Sequence, residues 1–176
     1  LCADNGVVAQ GVSQTDAAVT RAVLENLVAC RTSVCRMAAA AQCAVVPVDM
    51  GIAGAPVVGA ADYRIAPGTR DFTAGPAMTR AQAVQAIAAG LALVRAQKRA
   101  GVQLLATGEM GIGNTTTSSA VASVLLGRPV AEMTGRGAGL SDAGLRRKIE
   151  VIERGIAVNR PDAADPLGVL AALGGF

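Results

Sequence analysis

The residues of this chain best suited to chemistry lie in Leu105-Ala-Thr-Gly-Glu-Met-Gly-Ile-Gly-Asn-Thr-Thr-Thr-Ser-Ser119. Glycines that permit a tight turn are followed by hydroxyl residues that open an apolar helix. Free backbone N–H groups at such a helix start make a site for a phosphate oxyanion. Glu109 puts a carboxylate beside it. Neither common nucleotide motif is present. A Walker A loop needs a lysine after its last glycine, and Gly113 is followed by Asn114; a dinucleotide fingerprint needs a third glycine where this chain has Thr116. The pattern fits a phosphate monoester held by amides and hydroxyls. A second reading of the same residues is a strand-to-helix turn in which glycine serves sterics and Thr115 or Ser118 caps the helix.

The composition narrows the chemistry. The chain has 176 residues, 52% of them hydrophobic, with 21 glycines, one tyrosine, two phenylalanines and no tryptophan, so its core must be aliphatic and close-packed. The net charge of +3 is dispersed among interspersed acids and bases, which argues against a nucleic-acid surface. No apolar run approaches the roughly 18 residues of a bilayer span, so no membrane partner is expected. Histidine is absent, which removes the commonest general base and metal ligand and any Ser-His triad. Cys2, Cys30, Cys35 and Cys43 form no Cys-x-x-Cys pair; they read as buried reduced thiols of a cytoplasmic protein. No metal and no cofactor is expected.

These residues need elements to position them. Residues 1–3 read as the end of a strand entering the turn Asp4-Asn5-Gly6, and 44–48 as a short strand ending on Asp49. A third strand is expected at 102–106, directly before the glycine loop. Helices are expected after the caps offered by Ser13-Gln14-Thr15-Asp16, with Val19, Val23, Leu24, Leu27 and Val28 at helical spacing, over 33–42, over 79–100 with Val84, Ile87, Leu91 and Val94 on one face, over 116–126, over 141–158 with Leu145, Ile149, Ile152 and Ile156 on one face, and over 166–173. Residues 50–76 have no periodicity. Alternating strands and helices imply a parallel sheet in a single α/β domain over 1–176. Ligands of such folds bind at the carboxyl ends of the strands, where Asp4, Asn5, Asp49 and Glu109 would gather.

Six segments in order resemble one family, the nicotinate-nucleotide–dimethylbenzimidazole phosphoribosyltransferases of cobalamin biosynthesis. They are Ala3-Asp-Asn-Gly-Val-Val with Gly11-Val-Ser-Gln14, Val48-Asp-Met-Gly-Ile52, Gly68-Thr-Arg with Gly75-Pro-Ala-Met-Thr-Arg80, Gly108-Glu-Met-Gly-Ile-Gly-Asn-Thr-Thr116, Gly135-Arg-Gly-Ala-Gly-Leu140, and Asp165-Pro-Leu-Gly-Val-Leu-Ala-Ala-Leu-Gly-Gly-Phe176. The resemblance implies a Rossmann-like parallel sheet flanked by helices, with the family's small helical domain largely missing and the domain truncated at both ends. It implies a glycosyltransferase, typically a homodimer, that moves the phosphoribosyl group of nicotinate mononucleotide to 5,6-dimethylbenzimidazole or a related base. The products would be α-ribazole phosphate and nicotinate.

The resemblance assigns Gly111, Gly113, Asn114, Thr115 and Thr116 of the first glycine loop to the ribose 5-phosphate or the ribose, Gly137 and Gly139 to the nucleotide, and Lys148 to the phosphate. It places Glu109 near the base pocket, and Asp4, Asn5 and Ser13 beside the acceptor. Read on its own, Lys148, next to Arg146 and Arg147, is equally a solvated helix lysine, and Asp49 has no assigned role beyond a turn cap. The family's general base is a glutamate in a Gly-Glu-Gly stretch near its C-terminus. Residues 1–176 contain no such stretch, so this chain alone is expected to be inactive. Ala22 stands where members commonly carry glutamine, and Asp71 where asparagine is usual. The acceptor base is thus left open, with a phenol-accepting heteromeric relative or a non-catalytic nucleotide-binding partner subunit as alternatives.

Overall fold

The computed structural model describes residues 1–176. Three short parallel strands form the sheet, in the order β1 (Cys2–Ala3), β2 (Val48–Gly51), β3 (Ala61–Asp62). Cys2 lies opposite Asp49 and Ala3 opposite Gly51; Val48 lies opposite Ala61 and Asp49 opposite Asp62. All four residues of β2 are buried. The acid among them turns back on its own strand end, where Asp49 Oδ1 accepts from the N–H groups of Gly51 (3.0 Å) and Ile52 (2.9 Å). From β1, Asp4 Oδ2 accepts from Ala53 N–H at 2.8 Å. Both carboxylates thus fix the turn that leaves β2.

Seven helices surround the sheet: α1 (Ala18–Val28), α2 (Ser33–Ala40), α3 (Arg80–Arg99), α4 (Asn114–Leu126), α5 (Val130–Met133), α6 (Asp142–Asn159) and α7 (Pro166–Leu173). Most begin where side-chain chemistry dictates. Thr32 caps α2, Thr79 and Gln82 form a capping box on α3, Ser141 caps α6, and Asp165 caps α7 with Pro166 in its first turn. Each satisfies N–H groups that the first turn leaves without intrahelical partners. The main core joins Val7, Phe72, Ala120, Val151, Ile152 and Leu173. The buried face of α6 is Lys148, Val151, Ile152 and Gly155, spaced i, i+3, i+4, i+7. A Cβ on Gly155 would collide with the Phe72 ring, so this crossing exists only with glycine there.

Several elements differ from their sequence reading. The second strand lies at 48–51 rather than 44–48, and the aperiodic stretch 50–76 contains β3. The short helix α5 and a 3-10 turn at Gly6–Gln10 carried no clear periodic signal. Residues 102–106 form no strand. Cys2 bridges Met110 in parallel, beyond the expected strand, and residues 102–106 pair with none of the three strands. The run is left open, with Leu104 90% exposed. The helix α3 forms as expected, but Val84, Ile87, Leu91 and Val94 point outward, each about half exposed. It packs on the sheet instead through Ala86, Ala89 and Leu93, beside the fully buried Ala83. Small alanines let the helix approach closely, and the bulky stripe is left facing away. Of the four free cysteines, Cys2 and Cys35 are buried as expected, whereas Cys30 and Cys43 are exposed.

Candidate active site

The glycine loop reaches the sheet through its backbone. Met110 N–H donates to Leu1 O (2.9 Å), and Ala3 N–H donates to Met110 O (3.3 Å). A Cβ on Gly111 would meet Ala3 O at 2.5 Å and Glu109 Oε1 at 2.6 Å, so glycine is what admits both the strand and the carboxylate. Gly113, in a left-handed conformation, starts α4 without a side-chain cap. Neither Thr115 nor Ser118 caps the helix. Asn114 Oδ1 instead accepts from Thr115 N–H at 2.7 Å.

Lys148 meets this helix start from α6. It is 1% exposed, so it is no solvated lysine. Its Nζ donates to Thr115 Oγ1 (2.7 Å) and to Gly135 O (3.1 Å). All four ion pairs in the chain belong to other cations, and burial pushes the ammonium's pKa below its ordinary value. Gly137 passes over it with φ at +57°; a Cβ there would stand 2.9 Å from Thr115 Oγ1 and 3.6 Å from Lys148 Nζ. Around these groups lies a cavity of about 410 Å³, also lined by Ser13, Gly111 and Gly113. A desolvated ammonium with no acid beside it, facing a hydroxyl and a helix N-terminus, is an arrangement for an oxyanion. At the rim, Gln14 donates to Gly139 O, and Arg136 donates to Leu140 O (2.9 Å) and pairs with Asp142.

A second cavity, about 600 Å³, adjoins the first and shares Asn114 with it. Its wall is apolar, from Val121, Leu125 and Leu126 on α4, Leu170 on α7, and Phe176. Its polar end holds Asn5, Glu109, Thr117 and Ser118. The Glu109 carboxylate accepts from Asn114 Nδ2. Burial pushes this carboxyl up to about 7, while the Leu1 α-ammonium pulls it the other way. A carboxyl that titrates near neutrality can take or return a proton from a ligand's N–H or O–H.

A family model described as Phosphoribosyltransferase matches residues 1–176. This chain belongs to that phosphoribosyltransferase family. It is 47% identical over 177 residues to the nicotinate-nucleotide–dimethylbenzimidazole phosphoribosyltransferase of Ruminiclostridium cellulolyticum, covering all of this chain and 50% of that protein. It is also 47% identical over 178 residues to the enzyme of the same name from Desulforudis audaxviator, again over 50% of its length. The crystal structure of CobT from Thermus thermophilus superposes with a TM-score of 0.92 at 40% identity, over 99% of this chain and 53% of that one. A second Thermus thermophilus structure, of a protein named as the same phosphoribosyltransferase, gives 0.88 at 38% identity, over 99% of this chain and 52% of that one. The chain thus spans about half the length of the relatives it matches. The family's parallel sheet with flanking helices is present. No helix is long and apolar enough to cross a membrane.

The sequence-derived candidates are distributed over the two cavities, the rim and the surrounding structure. Ser13, Gly111, Gly113, Thr115, Gly137 and Lys148 line the cavity at Lys148, Asn5 and Glu109 line the apolar one, and Asn114 lines both. Gly139 acts at the rim through its carbonyl. Asp4 and Thr116 line neither: Asp4 serves the β2 turn, and Thr116 is fully buried in α4. Asp49, the unassigned aspartate, is a turn cap. Ala22 sits exposed on α1, and Asp71 holds Thr73 and Gln10. Sequence reasoning missed Gln14 and Arg136, though each neighbours a residue it chose. It also missed the aliphatic wall of α4, whose residues carry no chemical signature of their own.

Proposed function

We propose that this chain binds nicotinate mononucleotide and takes part in moving its phosphoribosyl group to a ring nitrogen of 5,6-dimethylbenzimidazole or a related base. The single observation that carries the reading is Lys148, a buried ammonium with no acid beside it at the start of α4. The 5-phosphate sits against Lys148, Thr115 and the Gly137 turn, the ribose crosses Asn114, and the acceptor ring enters the slot between Val121, Leu125 and Phe176. The relatives named for this reaction support the assignment.

The chemistry suits these groups. The acceptor's unprotonated ring nitrogen attacks C1 of the ribose, whose transition state has oxocarbenium character. The C1–N bond to nicotinate breaks, and its electron pair neutralises the cationic ring nitrogen of the departing nicotinate. The new base then gives up its N–H proton. Glu109, a carboxyl near neutrality, supports that transfer; the resemblance assigns the main base to a Gly-Glu-Gly stretch outside residues 1–176. Holding donor and acceptor in line supplies much of the rate.

Two copies of the chain are proposed to associate in the cytoplasm. The outward stripe Val84, Ile87, Leu91, Val94 on α3 and the four free thiols support this, and sedimentation of the chain reads the association. The functional test is calorimetric titration of the chain with nicotinate mononucleotide, nicotinate riboside and adenosine monophosphate. The expected order is nicotinate mononucleotide tightest, with the riboside at least about 30-fold weaker for want of its charge-assisted bonds. Equal affinity for adenosine monophosphate would reduce the cavity to a general phosphate site and sink the reading.

A further inference from the structure

Asn114 is the only residue that lines both cavities among those discussed above, and its side chain is fully engaged. Its amide nitrogen donates to the Glu109 carboxylate, and its carbonyl accepts from Thr115 N–H at 2.7 Å. Its backbone is fixed separately: its N–H donates to Gly111 O (2.9 Å), and its carbonyl accepts from Thr117 Oγ1 (2.9 Å). The side chain can therefore turn without disturbing the helix start. Thr115 ties Asn114 to the Lys148 cavity, because its N–H binds the Asn114 carbonyl and its hydroxyl accepts from Lys148 Nζ at 2.7 Å.

We infer that Asn114 is a positioning residue that couples the cavities: an oxyanion seated at Lys148 takes the Thr115 N–H from the Asn114 carbonyl, and the freed side chain releases the Glu109 carboxylate. An amide N–H favours the charged form of the carboxylate it binds, so its release makes Glu109 a better proton acceptor. The other groups facing this carboxylate do not respond in that way. The Leu1 α-ammonium is held on Gly108 O at 2.8 Å, the Cys2 thiol lies on β1 and feels both Glu109 and Asp49, and Asn5 donates to Ile112 O at 3.2 Å. The consequence is an order of events: the carboxyl becomes a stronger base once the phosphorylated donor is in place. This rests on the assignment of the donor to the Lys148 cavity.

The test is carboxyl-carbon NMR of the glutamate-labelled chain, which has only five glutamates, with the Glu109 signal assigned by its loss in Glu109→Gln. In the free chain Asn114→Ala raises the Glu109 midpoint by about one pH unit, the worth of one charge-assisted hydrogen bond. Saturating nicotinate mononucleotide raises the wild-type midpoint by a similar amount and that of the variant by much less. Asn114→Gln, whose longer stem misplaces the same amide, gives a second arm should the alanine variant fail to fold, and its response to the nucleotide is likewise reduced. Binding with equal shifts in wild type and variant overturns the coupling and leaves the donor site standing, since charge repulsion through space would then suffice. An unchanged midpoint in the free variants also overturns it. Failure of the wild-type chain to bind nicotinate mononucleotide or inorganic phosphate overturns the donor assignment itself.

Discussion

Exchanging Lys148 for methionine separates two things a buried ammonium can do. If it waits for an anion, Lys148→Met removes ligand affinity and leaves the fold intact. If it is a structural donor tying Thr115 to Gly135, the same change opens the core. Its two bonds, at 2.7 and 3.1 Å, go to uncharged oxygens, and against them stands the penalty of a desolvated charge with no acid nearby. Methionine keeps the apolar stem and removes the charge. The expected stability change is within about 1 kcal/mol, or roughly 2–4 °C in melting temperature for a chain of this size. The burial that lowers the lysine's pKa gives a further sign. Between its folded pKa and 10.5 the unfolded chain binds more protons, so wild-type stability rises with pH across that window; Lys148→Met loses this rise. For binding, the lost charge-assisted contact is worth about 2–3 kcal/mol, a weakening of roughly 30- to 140-fold. Calorimetry with nicotinate mononucleotide reads the affinity, and thermal denaturation reads the fold. With ligand at about 100 times the wild-type Kd, the wild type gains about 2.7 kcal/mol and the variant about 0.3–0.9 kcal/mol. A variant that binds within about threefold of wild type, or that loses more than about 3 kcal/mol, refutes the reasoning.

Glu109→Gln tests the raised carboxyl: since its pKa of about 7 lies above the ordinary 4.5, wild-type stability falls as pH rises from about 4.5 to 7. The glutamine variant should be more stable at pH 8 by roughly 1–2 kcal/mol, after discounting for the carboxyl's solvent access, and equal at pH 4, as read by urea denaturation; equality at pH 8 contradicts the pKa. Gly137→Ala places a Cβ 2.9 Å from Thr115 Oγ1 in a left-handed turn, so calorimetry should show nicotinate mononucleotide bound at least about tenfold more weakly. Cys30→Gly relieves an exposed residue held at φ +56° after α1. A gain of about 0.5–1 kcal/mol is expected in thermal melts, with unchanged ligand affinity because Cys30 lines neither cavity.

The sequence was most legible where local chemistry decides. Thr79, Ser141 and Asp165 announce their helices because a capping side chain acts within one turn of itself. The two glycine-rich turns were legible for the same reason, since Gly111, Gly113 and Gly137 are each required by atoms a few ångströms away. The failures are those in which a residue's fate depends on a distant partner. Residues 102–106 have the composition of a buried strand, yet composition alone does not pair a strand, and this run bonds to none of β1, β2 and β3. Val84, Ile87, Leu91 and Val94 make an apolar stripe as regular as any buried one. Helix periodicity fixes which residues share a face but does not say which face meets the sheet, and here the alanine face does.

Lys148 shows how narrow that margin is. The large aliphatics of its helix, Leu145, Ile149, Ile152 and Ile156, predict a buried stripe centred between them, with Arg146, Arg147 and Lys148 as a run of solvated cations. The observed buried face is rotated to Lys148, Val151, Ile152 and Gly155, which leaves Arg146 and Arg147 exposed and carries the lysine inward. The cause is Gly155. With no side chain there, the Phe72 ring lies against the backbone of α6, and the helix turns its smallest surface to its largest neighbour. A steric choice two turns away thus selects which of three adjacent cations faces Thr115. Gly155→Ala, by pushing the helix off Phe72, should weaken nicotinate mononucleotide binding in calorimetry although residue 155 lines neither cavity. Full affinity in a folded Gly155→Ala chain would mean that something other than this crossing sets the lysine.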